Sequence, residues 1–131
     1  MKLITRDTDY AVRAIISIAS KNDTRVSVAQ LVKELHIPRP FLRKILQVLN
    51  KEGLLTSYKG PDGGFSLSVK ADKISLIDLM EIFQGPLSLN ECMFKKKVCP
   101  NRSFCRLRHK VSGLEKYVFL KLKSINLGSL K

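Results

Sequence analysis

Apolar residues recur at helical spacing over residues 7–20, where Ala11, Ala14, Ile15, Ile18 and Ala19 share one face and Thr8 or Asp7 is placed to cap the start. A second helix is predicted over 28–35. Ser27 precedes it as N-cap and Gln30 follows three residues on, the spacing of a capping box. The run His36-Ile37-Pro38-Arg39 ends that helix, because Pro38 cannot continue it and disfavours a helical predecessor. His36 falls in the turn, where histidine tolerates left-handed geometry better than branched residues do. Pro40 suits the first turn of a third helix, whose buried stripe is read as Phe41, Leu42, Ile45, Leu46 and Leu49. Arg39, Arg43, Lys44, Gln47 and Lys51 fall on its other faces, and Gly53 ends it.

Two helices joined by a tight turn, the second with a basic outer face, make a helix-turn-helix, with the second helix as candidate reader of a major groove. Any helical hairpin shares that spacing, so the segment after Gly53 decides between the two. Residues 54–58 and 65–69 read as short strands around Lys59-Gly60-Pro61-Asp62-Gly63-Gly64. A hairpin directly after the recognition helix is a wing. Its tip can lay Lys59 along phosphates or into a minor groove, with Gly60 and Gly63 letting backbone come close. The glycine run is no nucleotide cradle, since it lacks the Gly-Lys-Ser/Thr ending and no long helix starts on it.

Ser75 caps a short apolar helix over 76–83 that stops at Gly85-Pro86, and residues 87–102 form a polar loop. A last helix over 103–124 carries Leu107, Val111, Leu114, Val118, Leu122 and Ile125 at alternating three- and four-residue spacing. With little domain left to cover, that stripe is expected to pack against a second copy rather than its own domain. The chain thus divides into a DNA-binding domain (1–86), a cysteine loop (87–102) and a dimerisation helix with its tail (103–131). The fold class is mainly α with a small β-hairpin wing.

Charge then narrows the partner. The 131 residues hold 24 Lys+Arg against 11 Asp+Glu, a formal +13, which favours a polyanion: nucleic acid first, an anionic membrane surface second. The densest run lies elsewhere than the helix-turn-helix: residues 95–123 hold ten bases against the single acid Glu115. Such a run is either a solvated helix face or a field that stabilises thiolates. No 18-residue apolar run and no leader pattern is present, so a cytoplasmic location is expected. Catalysis is not expected either, because His36 and His109 stand alone and no paired-acid arrangement occurs.

Cys92, Cys99 and Cys105 are the only cysteines, spaced C-x6-C-x5-C within fourteen residues. An odd number so few fits a disulfide-stapled domain poorly. Three chemistries remain open. An iron–sulfur cluster accepts wide spacings, because the cluster itself bridges several ångströms, but three thiolates leave one iron needing another ligand. Zinc usually wants paired C-x2-C knuckles, which are absent, though His109 could complete a Cys3His set. Bare redox-active thiols are the third.

The sequence resembles the winged-helix regulators related to the iron–sulfur regulator IscR and the nitric-oxide-responsive repressor NsrR. The resemblance rests on Thr8-Asp9-Tyr10-Ala11-Val12-Arg13-Ala14, on Gly60-Pro61-Asp62-Gly63-Gly64-Phe65, on the three-cysteine loop and on residues 119–127, and it covers essentially the whole chain. It implies a homodimer with crossed C-terminal helices and a cluster, 4Fe–4S or else 2Fe–2S, held by Cys92, Cys99 and Cys105. In the NsrR-like branch the fourth ligand is an aspartate from the partner's first helix, and Asp9 occupies that position. In the IscR-like branch it is a histidine three residues after the third cysteine. Here Arg108 stands there and His109 comes one residue later, a rotation of about 100° on a helix, so His109 ranks behind Asp9.

The function so implied is a DNA-binding repressor that senses nitric oxide, redox state or iron and binds an inverted-repeat operator. Arg39, Arg43 and Lys44, with the backbone around Pro40, would reach base edges, and Lys59 and Gly60 are the wing's candidate DNA contacts. A cluster on three thiolates changes each subunit's charge by only about −1, so any switch has to be geometric rather than electrostatic. The alternatives are a metal-free thiol regulator, a zinc protein, or an electron-carrying iron–sulfur protein with no part in DNA binding.

Overall fold

A computed structural model describes residues 3–21, 24–88 and 106–130. The order is α1 (Arg6–Ala19), α2 (Val28–Leu35), α3 (Arg39–Lys51), β1 (Leu55–Tyr58), β2 (Gly64–Leu67), α4 (Leu76–Gln84) and α5 (Arg106–Ser124), with 3₁₀ turns at Ala71–Lys73 and Leu127–Leu130. Among the described residues the elements expected from the apolar pattern are all present. The strands are shifted slightly, and α4 ends one residue later than expected.

α1 is the central helix. Ala11, Ala14, Ile15 and Ile18 are buried along one side of it, and their small or compact side chains let α3 and α4 approach closely. Its cap differs from expectation. Thr5, extended at φ −78° and ψ 165°, accepts from the Thr8 amide, so neither Thr8 nor Asp7 is the cap. The Thr8 hydroxyl is instead buried and donates to Gln84 Oε1 at 2.7 Å, because it faces the end of α4 rather than solvent.

The capping box of α2 forms as predicted: the Gln30 amide donates to Ser27 Oγ at 3.1 Å, and the Ser27 amide donates to Gln30 Oε1 at 3.0 Å. His36 sits in the left-handed region at φ 56°, closing α2 before Pro38. Glu34 accepts hydrogen bonds from Lys21 and Ser17, which hold its carboxyl below the usual carboxylate range and tie the end of α1 to α2. Because that pKa is lowered on folding, whatever the pair adds to stability is present above the unfolded pKa and fades as pH falls through the folded one.

Leu42, Ile45, Leu46 and Leu49 of α3 are buried, but Phe41 is not: 41% of it is exposed. It lies at the edge of the stripe, where a cleft opens between α1, α3 and α4, and the Arg6 guanidinium stacks on its ring 4.5 Å from the centroid. α3 ends on Gly53 at φ 82°, with Leu54 donating to the Leu49 carbonyl and Gly53 to that of Asn50. That paired closure is the Schellman arrangement, and it sends the chain straight into β1.

β1 and β2 pair antiparallel with Tyr58 opposite Gly64 and Leu55 opposite Leu67. A third partner was not anticipated: Val26 exchanges both backbone hydrogen bonds with Phe65, at 2.9 and 2.8 Å, and so pins the wing to the segment before α2. Gly64 is required at that crossing, since a Cβ there would lie 2.5 Å from the Val26 carbonyl oxygen.

The α5 stripe divides in two. Leu122 is buried against Leu76, Ile77 and Met80 with Val118, Phe119 and Ile125 alongside, so this end packs on its own chain. Leu107 and Leu114 are 70% and 61% exposed. Beyond α5 the chain returns to the first helices. Leu76 donates to the Ile125 carbonyl and Leu127 to that of Ile74, and Leu127 is fully buried in the main core.

Gln84, the last residue of α4, holds the N-terminus of α1: its Oε1 accepts from the Thr8 hydroxyl and the Thr5 amide, and its Nε2 donates to the Leu3 carbonyl. Replacing Thr8 with Val keeps the volume but removes the donor. Thr8→Val is expected to lower unfolding free energy by about 1–2 kcal/mol in urea titration, and no loss would mean that the clip contributes nothing net.

Candidate nucleic-acid interface and sensor residues

α3 carries no acid, and Arg39, Pro40, Arg43 and Lys44 are all exposed on it. The four-residue spacing of Arg39 and Arg43 stacks two guanidinium groups on one ridge, and Pro40 and Lys44 form the next. Among the described residues none of these cations pairs with a carboxylate, which leaves their donors free for an anionic partner. Leu42, Ile45, Leu46 and Leu49 hold the helix down from its opposite side, so the basic face is fixed in orientation.

Lys59 and Gly60 lie exposed at the wing tip. Gly60 has φ 95° and its carbonyl accepts from the Gly63 amide at 2.9 Å. A Cβ on Gly63 would come within 2.4 Å of the Tyr58 carbonyl oxygen, so the tight tip depends on this glycine. The tip therefore offers one ammonium and an uncluttered backbone. Lysine can hold a phosphate but lacks the planar fork that reads a base edge bidentately.

Between α1, α3 and the end of α4 lies a cleft of about 290 Å³ lined by Arg6, Asp7, Phe41, Lys44, Val48 and Phe83, among others. Arg6 bridges it, 4.5 Å from the Phe41 ring centroid and 5.9 Å from that of Tyr10. The N-terminal turn of α1 is thereby joined to the first turn of α3.

Asp9 stands in that same turn of α1, about half exposed, and its Oδ2 accepts from Arg13 Nε at 2.9 Å. His109 is exposed on α5. Cys92, Cys99 and Cys105 lie outside the described residues, and among the described residues no three His, Cys, Asp or Glu side chains cluster closely enough to hold a metal ion. The carboxylate of Asp9 faces outward rather than into its own core, open to a group brought from outside the helix. No helix among the described residues is long and apolar enough to cross a membrane.

Two features escaped the sequence reading. Gln84 reads there as the polar end of a short helix, and nothing in its neighbourhood points to residues 3–8. Arg25 is exposed and its guanidinium lies 3.8 Å from the Tyr58 ring centroid. The only signal was Val26, a single apolar residue between polar ones, too short for any periodicity.

Comparison with known proteins bears on this geometry. Residues 4–131 match the Rrf2 family model, described as an iron-dependent transcriptional regulator. A protein of Aquifex aeolicus assigned as an HTH-type transcriptional regulator is 35% identical over 111 residues, 83% of this chain and 77% of its own. CymR of B. subtilis, the global cysteine regulator, superposes with a TM-score of 0.77 at 23% identity, covering 99% of this chain and 96% of its own. IscR of T. potens does so with a TM-score of 0.75 at 21% identity, covering 99% and 85%. Such structural likeness carries the winged-helix fold, while the family match carries the regulatory class and sets the chain apart from enzymes. The chain belongs to the Rrf2 family of transcriptional regulators.

Proposed function

We propose that this DNA-binding regulator is a homodimeric repressor that responds to nitric oxide, redox state or iron through an iron–sulfur cluster, 4Fe–4S in type, and binds an inverted-repeat operator. The observation that carries the DNA half is the acid-free exposed face of α3 with the wing beside it. The sensing half is supported by three cysteines within fourteen residues and by the iron-dependent description of the matched family.

On the DNA side, Arg39, Arg43 and Lys44 meet the major groove, Pro40 presents backbone to it, and Lys59 with Gly60 follow the phosphates. Two recognition helices related by a dimer axis sit about one DNA turn apart, hence the inverted repeat. Arg43→Ala is expected to cost about 1–3 kcal/mol on the operator and to relax sequence preference, whereas Lys59→Ala weakens binding to all duplexes alike and lowers the salt slope by about 0.9. Electrophoretic shift assays against operator and scrambled duplexes, repeated over a salt series, measure both. Equal losses on both duplexes for Arg43→Ala would make it a phosphate contact.

Residues 1–86 are read as the DNA-binding unit, 87–102 as the sensor loop and 103–131 as the dimerisation segment. Leu107 and Leu114, exposed on α5, form the seam for a second copy. Leu114→Glu is expected to shift sedimentation from dimer to monomer and to lose most operator affinity. A dimer of unchanged stability would move the seam elsewhere.

Cys92, Cys99 and Cys105, with Asp9 of the other subunit, form a thiolate and carboxylate donor set that suits iron–sulfur ligation; His109 ranks behind Asp9. When bound, the cluster supplies reactivity toward nitric oxide and oxidants. What the chain supplies is the position of Asp9: on the first turn of α1, half exposed, and paired with Arg13 when no other partner takes it. A carboxylate drawn across the dimer favours one arrangement of the two DNA-binding units over another.

A metal-free thiol regulator is the second reading, favoured by the shared fold with CymR, itself described as a cysteine regulator. Anaerobic purification separates the two. Expected are a brown protein with about four irons and four sulfides per chain, bleaching on nitric oxide titration, and an Asp9→Ala variant that still binds iron but answers the titration differently. Colourless protein without iron or sulfide that binds DNA tightly would overturn the cluster; zinc in its place would do the same.

A further inference from the structure

A cation on the segment before α2 lies against the wing, and neither the helix-turn-helix pattern nor the wing tip accounts for it. Side chains alternate across a sheet, and here Leu55, Phe65 and Leu67 share the face that packs on the core, with Ser57 exposed at its edge opposite Phe65. Thr56, Tyr58, Ser66 and Ser68 therefore share the outer face, as the hydrogen bonds between Thr56 and Ser68 and from the Ser66 hydroxyl to Tyr58 Oη attest. Val26 is buried and pairs with Phe65, so Arg25 next to it belongs to that outer face as well. Its guanidinium lies on the Tyr58 ring, 3.8 Å from the centroid, and among the described residues no carboxylate neutralises it.

Position gives this cation its meaning. Tyr58 is followed directly by Lys59 at the wing tip. Two residues after Arg25, Ser27 caps α2, the first helix of the helix-turn-helix, which in this motif crosses the DNA backbone. Arg25 thus stands between two segments that meet the backbone. A guanidinium held flat on an aromatic face keeps its charge and its N–H edge while losing little further freedom when an anion arrives.

We infer that Arg25 is a DNA phosphate contact of this regulator and that Tyr58 is the residue that positions it. The inference rests on the DNA-binding reading of α3 and the wing. It adds a contact on the outer face of the sheet, sequence-independent and outside the groove-reading set.

The test uses the full chain and fluorescence anisotropy with two short labelled duplexes, one A·T-rich and one G·C-rich, over a salt series. Arg25→Ala is expected to weaken binding to both about five- to tenfold and to reduce the slope of log K against log salt by about 0.9. Arg25→Lys keeps the slope because the charge remains. Tyr58→Phe behaves as wild type, since the ring is retained, and Tyr58→Ala falls between wild type and Arg25→Ala. A wild-type slope in Arg25→Ala overturns the phosphate contact, whether or not the variant is less stable to heat. A loss confined to one duplex overturns it too, in favour of base readout. Lys44→Ala runs alongside: if it lowers affinity while Arg25→Ala does not, only the Arg25 assignment falls, and if neither does, the interface falls with it.

Discussion

Among the described elements α2, α3, β2, α4 and the C-terminal turn all pack directly on α1, and its buried face sets how near α3 and α4 can come. Ala11 and Ala14 have no exposed surface and little side chain, so α3 and α4 approach the helix closely while Ile15 and Ile18 fill the space beside them. A larger residue at either alanine would push the recognition helix away from its support, because interiors packed at crystal density have no slack to absorb it. The returning C-terminal turn closes the same core with Leu127, so residues distant in sequence share one packing problem.

Much of this was legible in the chain. The stripe of α3, the capping box of Ser27 and Gln30, the left-handed His36 and the Gly53 stop are local matters, decided by neighbours three or four residues away. The capping box, the turn and the stop stand as read, and the stripe does so apart from Phe41. What misled was tertiary. Phe41 has the right spacing for the core but sits at its rim, where Arg6 covers it instead of another helix. Thr8 looks like a cap, yet its hydroxyl is spent on Gln84, 76 residues away. The Val26 bridge to the wing is a single residue pair, and no periodicity exists over a single residue. Of the candidate site, the cations of α3 and the wing tip were legible because an exposed basic face needs only a helix register. Arg25 was not, because its place depends on a strand pairing across the hairpin.

The first turn of α1 joins these parts. Within it Arg6 stacks on Phe41 of the recognition helix, Thr8 bonds to Gln84 at the end of α4, and Asp9 faces outward beside Arg13. Gln84 is followed by Gly85-Pro86 and then by the cysteine-bearing segment, so the chain that leads to the thiols starts from a residue fastened to α1. Thr8 is fully buried and Gln84 satisfies both its hydroxyl and the Thr5 amide with one oxygen, so pulling the end of α4 away would leave polar groups without partners.

That connection bears on how a sensor of modest charge could govern DNA binding. On the proposed cluster reading, one cluster per subunit would barely alter the formal +13 of the chain, and the basic residues of α3 have no acids on their own helix to release or capture. On that reading affinity would change through where the two basic faces point, and the first turn of α1, which touches the recognition helix and the end of α4 and carries the outward-facing Asp9, is where a pull would be felt. The buried alanines of α1 leave α3 and α4 little room to slide on it. On the proposed reading, the same packing that makes the domain stable leaves its orientation as the variable for a signal to act upon.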